Sequence, residues 1–264
     1  MKHGIYRKIL INREAGKKMF AVLIDPEKSY GRNFASVVAA LKVASPDFIL
    51  IGGSHQVRSI DSMIAILKEE VTSDIILFPG DADQFSAHAD AMLYLNLISG
   101  RNPEYLIGQH VKSARMVFES GIEVISTAYI LIDGGKVSAV EYMSNTRPIP
   151  RDKEEIVLST AIAGELMGMR LTYLEAGSGA AIPVPASMIS YISERTQLPL
   201  VVGGGITSLN DLNNAFDAGA DIVVVGNILE QNTDRIVEYV KWVHQYNDKN
   251  NDDRYGQNGT DRTK

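Results

Sequence analysis

The sequence contains no cysteine among its 264 residues. This absence excludes disulfide bonds, catalysis by a thiolate and zinc sites with cysteine ligands, and it favours a cytoplasmic protein. An excess of basic residues is also missing, because the net charge is −6 at pH 7. Nucleic-acid binding normally requires a positively charged face. We therefore expect no nucleic-acid partner, and any anionic ligand should be held by backbone N–H groups and a metal ion.

Long hydrophobic runs are missing as well. No apolar stretch reaches the length needed to cross a membrane, and the first residues lack the apolar core of a signal peptide. The chain also shows no strongly basic amphipathic face that could anchor it to lipid. We therefore expect at most transient membrane contact.

Short apolar, mostly β-branched runs alternate with segments of helical spacing along most of the chain. Such alternation is typical of parallel strands joined by helices. The eight strand-like segments are residues 20–24, 47–51, 74–78, 91–97, 123–132, 171–175, 199–203 and 221–225. The segment between the third and fourth, residues 81–90, is too short and polar for a full helix. Eight strands predict an α/β TIM barrel with an abbreviated third crossover, with a doubly wound open sheet as the alternative.

The domain prediction is a single barrel over residues 1–246, with a helix over 4–17 ahead of the first strand. Residues 247–264 are polar without an apolar period and are predicted to be a disordered tail. Residues 133–142 resemble a hairpin. A helix that contains Leu106, Val111, Ala114 and Phe118 is predicted after residue 103.

The candidate active site begins at the sixth strand, Leu171-Thr-Tyr-Leu-Glu175, which runs into the glycine-rich loop Ala176-Gly-Ser-Gly179. In a TIM barrel the functional groups lie at the carboxyl ends of the strands. A carboxylate there, such as Glu175, is costly unless it is paired or solvated, so it indicates a functional role. Tyr173 shares its face, although core packing is the alternative for this tyrosine. Asp25 either has a functional role after the first strand or caps the turn at Pro26.

Glycine-rich loops also follow the seventh and eighth strands. They contain Gly204 and Gly205 in one case, and Gly226 with Asn227 in the other. Loops at these two positions commonly bind phosphate in TIM barrels. Exposed backbone N–H groups can hold an anion there without lysine. The three loops therefore predict one shared pocket for a phosphorylated ligand.

An ordered set of motifs resembles the geranylgeranylglyceryl phosphate synthase family. Each motif is short, but together they span nearly the whole chain in the family order. They are Val22-Leu-Ile-Asp-Pro-Glu-Lys28, Gly52-Gly-Ser54, Ser144-Asn-Thr-Arg-Pro-Ile-Pro150, Tyr173-Leu-Glu-Ala-Gly-Ser-Gly179, Val202-Gly-Gly-Gly-Ile206 and Val225-Gly-Asn227.

The resemblance implies a Mg²⁺-dependent prenyltransferase that joins a geranylgeranyl group from its diphosphate to the C3 hydroxyl of sn-glycerol 1-phosphate. By similarity, Asp25 and Ser54 hold the magnesium, Glu175 is the base and Tyr173 assists at the reacting centre. The implied binding residues for glycerol 1-phosphate are Tyr173, Leu174, Glu175, Ala176, Gly177, Ser178, Gly179, Gly204, Gly205, Gly226 and Asn227. One branch of the family has lysine where this chain has Leu23, so a replacing cation must come from elsewhere, with Lys28 as a candidate.

Several alternatives and expectations accompany this resemblance. The runner-up function is a sugar-phosphate isomerase or lyase with the same phosphate loops, and a third is a non-catalytic carrier of prenyl or phospholipid groups. The shortened crossover is expected to leave an apolar groove for the polyprenyl chain, with Tyr94 and Tyr105 as candidate limits to its length. The family resemblance also implies a homo-oligomer.

Overall fold

The computed structural model describes residues 4–29, 31–53 and 59–257. Within this part of the chain, eight parallel strands close into a barrel, each paired with its neighbours in chain order and β8 paired with β1. The strands are β1 Met19–Ile24, β2 Phe48–Ile51, β3 Asp74–Leu77, β4 Ala91–Asn96, β5 Glu123–Leu131, β6 Leu171–Glu175, β7 Leu200–Gly203 and β8 Ile222–Val225. The predicted TIM barrel and its eight strands are confirmed.

Ten α-helices are described around this barrel. They are α1 Ile5–Glu14, α2 Arg32–Ala44, α3 Asp61–Glu70, α4 Gln109–Ser120, α5 Ala139–Ser144, α6 Glu154–Leu166, α7 Ala186–Ser193, α8 Leu209–Asp217, α9 Asn227–Gln231 and α10 Asp234–Gln257. A π-helical turn, Glu104–Gly108, precedes α4. None of the helices in the described ranges is long and apolar enough to cross a membrane.

The strands are buried on both faces, which explains why their sequences are continuous apolar runs. In β6, Leu171 and Tyr173 point into the barrel interior, whereas Leu174 packs against the surrounding helices. Helix α1 closes the amino-terminal end of the barrel, because Ile5 and Ile9 belong to the interior cluster. The carboxyl ends of the strands are left as the place for a binding pocket.

The third crossover is abbreviated, as predicted. Only turns connect β3 to β4, and all residues of this connection are described. Gln84 fixes the connection, since its Oε1 accepts the Gly80 N–H at 2.9 Å and its Nε2 donates to the Gly53 carbonyl at 2.9 Å. The barrel wall therefore has no covering helix between these two strands.

The helix predicted after residue 103 is present as the π-helical turn and α4, but most of its apolar side chains do not face the barrel. Ser113 and Val117 face the barrel, while Val111 is 69% exposed and Phe118 is 88% exposed. The apolar residues recur at helical spacing. However, a period alone cannot tell a stripe that covers the barrel from a stripe that covers another surface.

Two further sequence predictions are corrected. The region predicted as a hairpin contains α5, whose first turn is capped by the Ser138 side chain accepting the Glu141 N–H. The boundary at residue 246 is too early, because α10 continues to Gln257. Asn247 is buried and exchanges hydrogen bonds with the Lys18 backbone, at 2.8 and 2.9 Å. A buried amide satisfied by backbone groups leaves no apolar signal, and residues 258–264 lie outside the described ranges.

Candidate active site

One pocket, here called the mouth pocket, lies at the carboxyl ends of the strands. Its lining brings together residues from the loops after β1, β6, β7 and β8, as the barrel rule predicts. The predicted residues that line it are Asp25, Tyr173, Glu175, Ser178, Gly179, Gly204, Gly205, Gly226 and Asn227.

Other predicted residues have different positions. The side chains of Leu174 and Ala176 are buried in the cluster that faces the helices, so they do not line the mouth pocket. Gly177 contributes its backbone N–H, which donates to Glu175 Oε1 at 2.7 Å. Ser54 lies outside the described residues.

Glu175 is 5% exposed and lines the mouth pocket. Burial raises its pKa from 4.5 to about 7, although the Gly177 N–H and the hydroxyls of Tyr173 and Tyr129 act to lower it. The Tyr173 hydroxyl makes no hydrogen bond of standard geometry. We therefore interpret the effect of this hydroxyl on the Glu175 pKa as that of a nearby dipole. A carboxyl group with this pKa can accept a proton near neutral pH.

The glycines beside Glu175 lie so close to neighbouring atoms that there is no room for a side chain. A Cβ on Gly203 would overlap the Tyr173 hydroxyl, and one on Gly204 would overlap Glu175 Oε1. Gly204 also has a φ of +80°, which L-residues with side chains rarely adopt. The β7 loop is therefore shaped to lie directly against the candidate catalytic side chains.

Two lysines place cations at the mouth pocket, in addition to the backbone N–H groups and the metal ion that the sequence predicts for an anion site. Lys28 Nζ lies 3.0 Å from Asp25 Oδ2 and 3.0 Å from Asn227 Oδ1, with Ser178 Oγ at 3.4 Å. Lys136 Nζ lies 3.8 Å from the position a Gly179 Cβ would occupy. Lys28 was noted in the sequence as a possible replacing cation, whereas no motif marked Lys136.

Glu230, on α9, is a polar residue of the mouth pocket that sequence reasoning missed. Its Oε1 accepts the Asp25 N–H at 2.8 Å and the Ser29 hydroxyl at 2.9 Å. Burial raises its pKa, and these two hydrogen bonds oppose the shift. Its position one helical turn after Asn227 was the available signal. Glu230 thus joins the β1 loop to the helix after β8.

Asp25 is the described carboxylate best placed for a metal ion at the mouth. In the described ranges, the mouth included, no group of three or more His, Cys, Asp or Glu side chains could hold a metal. Mg²⁺ often takes only one or two protein carboxylates and completes its shell with substrate phosphates and water. A site with few protein ligands, centred on Asp25, fits that behaviour.

A second pocket, here called the wall groove, lies where the third crossover is abbreviated. Its lining comes from the β3–β4 connection, β4, the π-helical turn and α5, and includes Pro79, Ala82, Met92, Tyr94, Leu95, Leu97, Tyr105, Val140 and Met143. The groove shares Gly53, Phe78, Tyr129 and Val140 with the mouth pocket. The wall groove therefore adjoins the mouth pocket that contains Glu175.

Comparisons with known proteins agree with this geometry. The chain is 46% identical to the geranylgeranylglyceryl phosphate synthase of Chitinophaga pinensis over 245 residues, which covers 92% of this chain and 97% of that protein. It is 43% identical to the enzyme of the same name from Flavobacterium johnsoniae, covering 87% and 95% of the two chains.

A solved structure is also similar. The crystal structure of (S)-3-O-geranylgeranylglyceryl phosphate synthase from Thermoplasma acidophilum, in complex with its substrate sn-glycerol-1-phosphate, superposes with a TM-score of 0.85 at 30% identity. The match covers 93% of this chain and 98% of that one. Residues 12–244 match the PcrB family, and the chain therefore belongs to that family.

Proposed function

We propose that this protein is a geranylgeranylglyceryl phosphate synthase, which transfers the geranylgeranyl group of its diphosphate to the C3 hydroxyl of sn-glycerol 1-phosphate. The observation that carries the proposal is the meeting of the apolar wall groove with a pocket containing Glu175 and the glycine-rich loops. A prenyl donor needs an apolar channel, and a phosphorylated acceptor needs a polar pocket. The relatives described above are named for the same activity.

Glu175 has the position and pKa of a general base for this reaction. Its carboxylate takes the proton of the C3 hydroxyl while the hydroxyl oxygen bonds to C1 of the prenyl chain. The bond between C1 and the diphosphate oxygen breaks, and diphosphate leaves with the electron pair. Removal of such a base typically slows a reaction by a factor of about 10²–10⁴.

The acceptor is proposed to bind at the loops after β6, β7 and β8. Glycerol 1-phosphate has two free hydroxyl groups, so a fixed phosphate is needed to present C3 to Glu175. Gly204, Gly205, Gly226 and Asn227 lie together in the mouth pocket as candidates for holding that phosphate. The nearby Lys28 ammonium group supplies positive charge in a protein whose net charge is negative.

Magnesium dependence is part of the proposal. Asp25 and Ser54 would hold the ion together with the diphosphate. Bound magnesium would neutralise charge on the departing diphosphate. The support is the position of Asp25 in the lining of the pocket that also contains Glu175.

A sugar-phosphate isomerase or lyase is less well supported. Such an enzyme shares the phosphate loops but has no use for the wall groove. A non-catalytic carrier is disfavoured by Glu175, because a carboxylate beside a bound phosphate would repel it.

We further propose that the protein forms a homo-oligomer through α4. Helix α4 and the π-helical turn before it expose an apolar stripe made of Ile107, Val111 and Phe118, at 58%, 69% and 88% exposure. These side chains recur at the spacing of one helix face. A second copy of the chain is proposed to pack against this stripe. The absence of cysteine fits a cytoplasmic location for the assembly.

The proposed function is tested by following labelled sn-glycerol 1-phosphate into an organic-extractable product, with geranylgeranyl diphosphate as donor. The assay compares wild type with Glu175→Gln, each with and without Mg²⁺. We expect magnesium-dependent product in wild type and at least about a 10²-fold loss of rate in the variant. The matched control is Glu155→Gln, which lies on α6 outside the mouth pocket.

The outcomes separate the candidate functions. A folded wild-type protein that binds glycerol 1-phosphate but yields no product with any prenyl diphosphate would overturn the transferase. Product formation that is unaffected by Glu175→Gln would keep the transferase and remove Glu175 as its base.

A further inference from the structure

Lys28 makes contacts with two different parts of the mouth pocket at once. Its ammonium group has three N–H donors and no acceptor. Asp25 Oδ2 and Asn227 Oδ1 each lie 3.0 Å from Nζ, and Ser178 Oγ lies at 3.4 Å. All three contacts are with residues that line the mouth pocket.

These partners belong to two ligand sites under the proposed function. Asp25 belongs to the metal and diphosphate site, whereas Asn227 and Ser178 belong to the glycerol phosphate site. The contact between Lys28 and Asn227 spans 199 positions of sequence, so it joins the first strand's loop to the last strand's helix. A single side chain therefore connects the two sites.

The backbone around Lys28 is held in place independently of its side chain. The N–H groups of Lys28 and Ser29 donate to the Asp25 carbonyl at 3.1 and 2.9 Å. Glu230 anchors both ends of this turn through Asp25 N–H and the Ser29 hydroxyl. The ammonium group can therefore change partners without movement of the loop that carries Asp25.

We propose that Lys28 is a shared cation that couples the two substrate sites, an inference that rests on the proposed function. Without ligands, Lys28 neutralises Asp25. A divalent cation on Asp25 displaces the ammonium group, which then turns to the phosphate of the acceptor beside Asn227 and Ser178. Occupation of the metal site thereby strengthens binding of glycerol 1-phosphate, and by thermodynamic reciprocity the acceptor strengthens binding of the metal by the same factor.

The proposal predicts that loss of the Lys28 ammonium group changes the affinities for the metal and for glycerol 1-phosphate in opposite directions. Replacement by Lys28→Met removes the competitor of the metal, so Asp25 should bind Mn²⁺ several-fold more tightly when no other ligand is present. The same change removes a charged donor from the phosphate, so glycerol 1-phosphate should bind about tenfold or more weakly. A purely structural role for Lys28 would weaken both ligands together.

The experiment measures two affinities in the full-length protein. Mn²⁺ binding is followed by loss of the free-ion electron paramagnetic resonance signal, and sn-glycerol 1-phosphate binding by calorimetry with and without Mn²⁺. Lys42→Met is the matched control, because Lys42 pairs with Glu70 on the outer surface and should leave both affinities unchanged. Circular dichroism verifies that each variant is folded.

Asp25→Asn provides a second, independent variant. It frees Lys28 from its partner, so glycerol 1-phosphate should bind more tightly than in wild type when metal is absent. The gain should be much smaller in the Lys28→Met background, since a double-mutant cycle reports the part that passes through Lys28. An equal gain in both backgrounds would show that only the charge of Asp25 matters.

The proposal is overturned if Lys28→Met weakens Mn²⁺ binding, or if Mn²⁺ strengthens glycerol 1-phosphate binding equally in wild type and Lys28→Met. Failure of the proposed function looks different. In that case wild type itself forms no product with any prenyl diphosphate, whatever the effect of Lys28→Met on the two affinities.

Discussion

The hydroxyl group of Tyr173 lies directly over Gly203, so close that a methyl group on Gly203 would overlap it. Both residues are buried strand residues at the mouth of the barrel, on β6 and β7. The Tyr173 ring also packs against Tyr129 and Phe78, with centroid distances of 5.2 and 5.5 Å. The position of Tyr173 is thus set from both sides, by aromatic packing and by the absence of a side chain on Gly203.

The first prediction concerns this contact. Gly203→Ala should lower the free energy of unfolding by about 1–3 kcal/mol, because the new methyl group forces a buried ring to move. Tyr173→Phe alone should have little effect or stabilise the protein, since the hydroxyl it removes is buried without a hydrogen-bond partner. Urea unfolding measures both changes.

The double variant is the control for that prediction. In the Tyr173→Phe background the nearest atom to the new methyl group is gone, so Gly203→Ala should be less destabilising than in wild type. Equal losses in the two backgrounds would mean that Gly203 is needed for a reason other than Tyr173.

The second prediction follows from the raised pKa of Glu175, about 7 instead of 4.5. Between these values the unfolded chain loses the proton while the folded protein keeps it, so stability falls as pH rises. The total loss is about 3 kcal/mol and is complete above pH 7. Glu175→Gln should therefore match wild type near pH 4.5 and be more stable than wild type at pH 8. Urea unfolding across this range tests the prediction, and a constant difference between the two proteins would contradict it.

The third prediction uses the same carboxyl group in catalysis. A base must be unprotonated, so kcat/KM should rise with pH and level off above the pKa of Glu175 in the free enzyme. The Tyr129 hydroxyl lowers that pKa. Tyr129→Phe should therefore move the rising limb to higher pH.

Tyr191→Phe is the control for this shift, because its hydroxyl contacts Glu155 outside the mouth pocket. The phosphate of the acceptor titrates equally in all variants, so the difference between profiles isolates Glu175. An unchanged profile in Tyr129→Phe would show that its hydroxyl does not act on the base.

The barrel fold could be predicted from the sequence, because each strand is marked by a short local run of apolar residues. The location of Glu175 and the glycine loops at the mouth could also be predicted, since residues at the carboxyl ends of parallel strands all lie at the same end of a barrel. Glu230 could not be found this way, because its contact with Asp25 spans 205 positions and depends on barrel closure. Leu174 and Ala176 were assigned by resemblance to the family motif, and the structure places both side chains in the cluster that faces the helices.

The exposed face of α4 leads to the fourth prediction. Its apolar stripe lacks a partner within the described residues, and Phe118→Glu places a charge at the centre of the proposed contact between copies. The variant should sediment as a monomer while retaining the wild-type circular dichroism spectrum. Val43→Glu is the matched control, because Val43 is 74% exposed on α2 and lies outside the stripe. A monomeric wild-type protein, or an oligomer unaffected by Phe118→Glu, would exclude α4 as the interface.

The last prediction concerns the length of the prenyl chain. Tyr105 lines the wall groove, and its hydroxyl donates to the Met143 carbonyl at 3.2 Å, so the side chain bridges the π-helical turn and α5. Tyr105→Ala removes this bridge and lengthens the apolar space.

A donor with one more isoprenoid unit gains burial for about five carbons, each worth roughly 0.8 kcal/mol when fully buried. The ratio of kcat/KM for the 25-carbon donor to that for the 20-carbon donor should therefore rise by at least about tenfold in Tyr105→Ala, given partial burial. Tyr191→Ala, outside the groove, should leave the ratio unchanged. If Tyr105→Ala lowers kcat/KM equally for both donors, Tyr105 shapes the groove without limiting its length, and Tyr94 becomes the residue to replace next.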